Sequence, residues 1–205
     1  LSVLSSRPNP DGGIAYQTRF FGDFVGELGG SYQEKNANTV LTAVMQLYNK
    51  GVIKNAESIA KGFANVCELT GLMGRWQKLQ TNPLVICDTG HNARGWTYLS
   101  QQIKRQQCKQ KRIVFGMVDD KDLHAVMSML PNDAIYYWTQ PSTHRAFPVE
   151  KVAETADDYD LHGKIYPTVL EAYQAALHDA AQSDFIFVGG SSYVVADLLT
   201  SLQKK

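Results

Sequence analysis

From about Thr81 onward the chain repeats one rhythm: a short apolar run, then a helix-length amphipathic segment. The apolar runs are Leu84–Cys87, Ile113–Met117, Ala134–Trp138, Lys164–Tyr166 and Phe185–Val188. They are rich in β-branched and aromatic residues and do not alternate with polar ones, so they predict strands buried on both faces. Helical patterns fall between and after them, near Gly95–Gln107, Leu123–Met129, Val149–Tyr159, Val169–Ala180 and Val194–Leu202. Strand, helix, strand repeated in this way predicts an α/β domain over 77–205, Rossmann-like, with a five-strand parallel sheet covered on both faces.

The first third of the chain reads differently. Ile14–Phe20 alternates as a strand after the turn signal Asp11-Gly12-Gly13. A helix is predicted over Asn36–Tyr48, with Val40, Leu41, Val44, Met45 and Leu47 as its apolar stripe and Gly51 as its stop. A second helix is predicted over Ala56–Leu69, with Asn55 as N-cap and a stop near Gly71. Residues 1–76 therefore read as the tail of a preceding domain.

Formal net charge is zero, so no broad field attracts nucleic acid or an acidic membrane. The basic run from Lys104-Arg105 to Lys109–Arg112 is expected at a helix end, as a solvated face favoured by the helix dipole. The three cysteines, Cys67, Cys87 and Cys108, are odd in number and far apart. That argues for a reducing, cytoplasmic setting rather than a disulfide framework, with Cys87 as a small core residue. No apolar stretch reaches membrane-span length. Leu1-Ser2-Val3 is not an ordinary initiator start and reads as a piece cut from a longer protein.

Chemistry concentrates at one junction. Gly74-Arg75-Trp76 precedes the run Leu84–Cys87, and Asp88-Thr89-Gly90-His91-Asn92 follows it. An Asp, a His and an Asn thus stand at the carboxyl end of a buried strand, where open α/β sheets bind ligands.

Gly-Arg-Trp-Gln, a spacer with a Pro, four apolar residues and Asp-x-x-His-Asn resemble the junction before the C-terminal domain of folylpolyglutamate synthase/dihydrofolate synthase, enzymes of the Mur ligase superfamily. Further matches are Gly30-Ser31-Tyr32-Gln33-Glu34-Lys35-Asn36-Ala37, Val114–Met117 with Asp119-Asp120-Lys121-Asp122, and Phe187–Tyr193 with its Gly-Gly-Ser-Ser turn. The resemblance covers nearly the whole chain. It implies that residues 1–76 are the C-terminal portion of a central ATP-binding domain and 77–205 the glutamate ligase domain, with a hinge near Arg75–Pro83.

The same resemblance implies roles. Asn36 would hydrogen-bond adenine, Arg75 would bridge ATP phosphates, and Asp88 would accept from ribose hydroxyls. His91 would face the incoming glutamate or an acyl phosphate, with Arg75 as its catalytic companion. Asn92, Arg145 and Ser191 would contact the amino-acid substrate. Read from the residues alone, Asn36, Asn92, Ser191 and Asp122 are equally helix caps or turn residues. The family usually carries Pro after the Asn at position 92 and Gly-Ala or Val-Ala before His, whereas this chain has Ala93 and Thr89-Gly90.

The implied partners are ATP, L-glutamate and folate or dihydropteroate, with Mg²⁺ held mainly by residues outside this chain; no nucleic acid or membrane partner is expected, and the chain is expected to be monomeric. No Gly-x-x-x-x-Gly-Lys-Ser/Thr phosphate loop occurs. Either the chain is a fragment of such a ligase, inactive alone, or it is a stand-alone α/β nucleotide-binding module. A cell-wall Mur ligase domain is the third reading.

Overall fold

The computed structural model describes residues 2–10, 12–119 and 122–203. They form two compact units divided between Trp76 and Gln77, each described by itself.

The first unit holds strands β1 (Val3–Pro8), β2 (Ile14–Thr18) and β3 (Asp23–Gly26) in one antiparallel sheet. Helix α1 (Gln33–Asn49) is longer than its predicted span. Its buried line is Gln33, Ala37 and Leu41; Val40 and Leu47 of the predicted stripe are exposed. The single helix expected over 56–69 is two, α2 (Glu57–Ala64) and α3 (Val66–Thr70). Asn65 breaks it: its backbone leaves the helical region at φ −130°, ψ 30°, and its side-chain amide donates to the Lys61 carbonyl at 2.8 Å. Asn55 accepts from the Glu57 N–H at 2.8 Å, and Gly71 ends α3 at φ 69°. Val3, Ile14, Tyr16, Ala37, Leu41 and Ile59 form this unit's core.

The second unit is a six-stranded sheet in the order β4-β5-β9-β6-β7-β8. Its strands are β4 (Gln77–Gln80), β5 (Leu84–Asp88), β6 (Lys111–Phe115), β7 (Ala134–Trp138), β8 (Gly163–Ile165) and β9 (Phe185–Gly189). Five strands run parallel, as the apolar runs predict. β4 was not expected; it pairs antiparallel with β5, and its polar sequence Gln-Lys-Leu-Gln carries no strand period.

Helices α4 (Ala93–Lys104), α5 (Leu123–Met127), α6 (Val149–Asp157), α7 (Val169–Asp179) and α8 (Ser192–Gln203) cover the sheet. On one face Val85, Cys87, Val114, Tyr137, Ile186 and Val188 pack with Val169, Ala172 and Tyr173 of α7 and with Val194, Val195 and Leu198 of α8. On the other, Trp96 of α4 meets Phe115 and Phe187 edge-on, and Phe115 meets Trp138. Burying each such large side chain contributes about 1.5–3 kcal/mol. Cys87 is fully buried. No helix among the described residues is long and apolar enough to cross a membrane.

The basic run is only partly a helix end. Lys104 closes α4 and Arg105 caps it, but Lys111 and Arg112 open β6. Both are ion-paired, Lys111 with Asp133 and Arg112 with Asp184. The run is therefore not a uniformly solvated face: the strand begins inside it.

Candidate functional site

In the second unit the chemistry gathers at the carboxyl edge of the sheet. One register row runs Asp88, Gly189, Phe115 and Trp138 across β5, β9, β6 and β7. The loops leaving these strands carry the polar residues.

Asp88 is only 2% exposed. Its Oδ1 accepts the Gly90 N–H at 2.8 Å, closing an Asx turn. A Cβ on Gly90 would run into the Leu99 side chain, so the bare backbone lets the turn sit against α4. His91 follows on the surface with Nδ1 3.1 Å from the Thr89 carbonyl oxygen. With the proton on Nδ1 the ring donates there, and Nε2 keeps its lone pair. Asn92, extended at φ −136°, ψ 159°, caps α4 by accepting the Gly95 N–H at 2.9 Å. Its amide nitrogen still carries donors.

The exit from β9 is tighter. Gly190 sits at φ +106°, and a Cβ there would strike the Gly116 carbonyl oxygen. Ser191 is fully buried, and its Oγ accepts the Val194 N–H at 3.2 Å, capping α8. Arg145 lies half-buried in the loop after β7. Its carbonyl accepts the Asp119 N–H at 2.8 Å, and Val118 bridges Ala146. Asp122 accepts the Ala125 N–H at 2.9 Å as the cap of α5; Asp120 and Lys121 of the same motif lie outside the described residues. Thr139, which sequence reasoning passed over, is fully buried at the end of β7. Its hydroxyl has no hydrogen-bond partner among the described residues. Only the strand's position in the sheet, not its composition, points to it.

In the first unit Asn36 and Arg75 line one cavity of about 510 Å³. Its walls are mostly apolar, among them Leu28, Val40, Ile53 and Phe63, with Tyr16, Gln33 and Ser58 as polar groups. The Asn36 amide donates to Gln33 Oε1 at 2.9 Å, and Gln33 is itself 5% exposed. That bond ties the Asn36 amide to a buried neighbour. Burial, with the Glu34 charge adding, pushes the Tyr16 hydroxyl up to about 12, so it stays a neutral donor. An apolar slot with a few oriented amide and guanidinium groups is the usual lining of a small-molecule site. Among the described residues no three His, Cys, Asp or Glu side chains could together hold a metal ion.

Comparison with known proteins adds the lineage. A family model described as "Mur ligase, glutamate ligase domain" matches residues 74–192. A dihydrofolate synthase/folylpolyglutamate synthase of Escherichia coli is 30% identical over 168 residues, covering 81% of this chain and 37% of the relative. The structure of E. coli FolC in complex with DHPP and ADP matches at TM-score 0.73 and 25% identity, over 96% of this chain and 45% of that one. A Mycobacterium tuberculosis folylpolyglutamate synthase complexed with ADP shares the fold at TM-score 0.80 and 22% identity, over 99% of this chain and 47% of that one. The chain thus spans less than half the length of these relatives. With this match laid over the parallel sheet and its polar carboxyl edge, the chain belongs to the Mur ligase family, which it matches across the glutamate ligase domain.

Proposed function

We propose that the chain is the C-terminal part of an ATP-dependent ligase that joins L-glutamate to folate or dihydropteroate. In this reading residues 1–76 end a central ATP-binding domain and residues 77–205 are the glutamate ligase domain. The observation that carries it is the sharing of one sheet edge by the Asp88–Asn92 turn, the Gly190–Ser191 turn and the Arg145 loop.

When bound, ATP would give its γ-phosphoryl group to a carboxylate with release of ADP, the glutamate amine would then displace phosphate as the amide forms, and Mg²⁺ held from outside this chain would neutralise phosphate charge. The chain's own residues bind and orient. Asn36 would offer its amide to an adenine edge, and the cavity around it is wide and apolar enough for a base. Arg75 brings a permanent planar charge suited to phosphate oxygens. Asp88, whose Oδ1 takes the Gly90 N–H, would accept ribose hydroxyls through its carboxylate oxygens, as acidic residues at strand ends do in nucleotide folds. His91 would accept a proton at Nε2 from the attacking glutamate amine when its Nδ1–H donates to the Thr89 carbonyl. Arg145 draws the glutamate carboxylates, and the Asn92 amide and the backbone at Ser191 orient them. Positioning and charge neutralisation then supply most of the catalysis.

The test is an NMR titration of the chain with ATP, L-glutamate and D-glutamate in turn. L-Glutamate is expected to shift amides in 88–92, 142–146 and 189–192, and ATP those around Asn36 and Asp88. Shifts with ATP alone would favour a nucleotide-binding module, and D-glutamate preference a cell-wall ligase domain. The chain alone is expected to bind without ligating, since the sequence holds no phosphate loop; ADP release with amide formation by the pure chain would overturn that part.

A further inference from the structure

Asp197 is the odd residue of α8. The helix reads Ser-Tyr-Val-Val-Ala-Asp-Leu-Leu-Thr-Ser-Leu-Gln, and an Asp in a helix interior is locally unfavourable. Its reason is tertiary. Asp197 Oδ2 accepts the backbone N–H of Ser142 at 2.7 Å, and Oδ1 accepts the Ser142 hydroxyl at 2.8 Å. Both oxygens of one carboxylate thus grip one residue of the loop after β7, through two charge-assisted bonds. Ser142 is exposed, yet this grip fixes it.

The loop is held at its other end by backbone bonds: Asp119 N–H to the Arg145 carbonyl at 2.8 Å, and Phe147 N–H to the Met117 carbonyl at 2.9 Å. Asp197 anchors the leading half at Ser142, and the segment after β6 anchors the trailing half at the Arg145 carbonyl and the Phe147 N–H. α8 itself is set by buried Val194, Val195 and Leu198, and its first turn follows Gly190 and Ser191. We propose that Asp197 is a positioning residue for the amino-acid substrate, acting through Ser142 to hold Arg145 at a fixed distance from the Gly190–Ser191 turn. This rests on the ligase reading above.

The test compares wild type, Asp197→Asn and Ser142→Ala by three readouts: L-glutamate affinity from NMR titration, hydrogen exchange of amides 142–146, and thermal midpoint. Asp197→Asn is expected to weaken L-glutamate about tenfold, the equivalent of one charge-assisted hydrogen bond, and Ser142→Ala by a smaller factor. Exchange should quicken at 142–146 and stay unchanged at Val85–Cys87. If Asp197→Asn fails to fold, Ser142→Ala, which removes only the hydroxyl arm, carries the same test. Wild-type affinity and wild-type exchange in the folded variants would overturn the proposal while leaving the ligase reading intact. No glutamate response in the wild type would remove the ligase reading and this proposal with it.

Discussion

Arg112 Nε and Asp184 Oδ2 meet at 3.1 Å between the amino ends of β6 and β9, their side chains only 11% and 3% exposed. Asp184 Oδ2 also accepts the Ala181 N–H at 3.1 Å, and Arg112 donates from Nη1 to the Tyr137 hydroxyl at 2.9 Å. Asp184 Oδ1 is buried and has no partner among the described residues. Losing the cation alone would strand a desolvated carboxylate, which costs more than the pair is worth. Arg112→Leu is therefore expected to lose about 3–5 kcal/mol in urea unfolding. The double variant Arg112→Leu/Asp184→Leu should recover part of that loss. If single and double variants unfold together, the pairing argument is wrong.

The same network sets a pH effect. The Tyr137 hydroxyl donates to Asp179 Oδ2 at 2.9 Å. That bond, and then His178 beside it, hold the Asp179 carboxyl below its ordinary value of 3.8. A folded pKa below the unfolded one stabilises above the unfolded value and is lost as pH falls through the folded value. Asp179 is 47% exposed, so solvent screens the effect and it is modest. Carbon-detected titration of Tyr137→Phe should show the Asp179 carboxyl moving up toward 3.8. A titration curve unchanged from wild type would remove the hydroxyl as the cause.

Much of this was legible in the sequence, and the reasons are specific. The inner parallel strands announced themselves because burial on both faces demands continuous apolar runs, as in Phe185–Gly189, where every residue is buried; the edge strand β8 is exposed at all three residues, against the expectation of burial on both faces, because it has a strand neighbour on one side only. Asp88 and His91 could be located because they end such a run. The strands β1, β3 and β4 were missed because they are partly exposed and antiparallel, so partner pairing rather than composition holds them. The break at Asn65 was missed because apolar period continues through it while its backbone does not. Asp197 stands out locally only as an Asp inside a helix and is explained by a residue 55 positions away; Thr139 carries no local signal and is explained by its place at the carboxyl edge of the sheet. At Asn92 and Ser191 the structure shows the caps, and composition could not separate a cap from a ligand contact, since both use the same residue types.

Gly190 tests how tightly the β9 exit is built. It combines left-handed backbone at φ +106° with a Cβ direction blocked by the Gly116 carbonyl and the Phe115 ring. Gly12, at φ +111°, has nothing within 4 Å of the same point. Gly12→Ala should therefore show backbone strain alone, about 1 kcal/mol. Gly190→Ala should lose about 2–3 kcal/mol, and with it the L-glutamate shifts at 189–192. Equal losses at the two sites would show that packing at the β9–β6 exit contributes nothing.

Cys87 offers a probe of the same sheet without mutation. It is fully buried one residue before Asp88, and burial, with the Asp88 charge adding, pushes its thiol up to about 12. Thiol reagents attack the thiolate, which is scarce in the folded protein at pH 8. Cys67 and Cys108 are only half-buried, although burial raises their thiols too. Under native conditions the reagent should therefore modify Cys67 and Cys108 first, read by mass spectrometry. Cys87 should follow only as fast as the second unit opens, and its rate should climb with urea in step with unfolding. Destabilising that unit through Arg112→Leu should quicken Cys87 and leave Cys67, in the other unit, unaffected. Labelling of all three at one rate in native buffer would mean that β5 is not sealed between its helices.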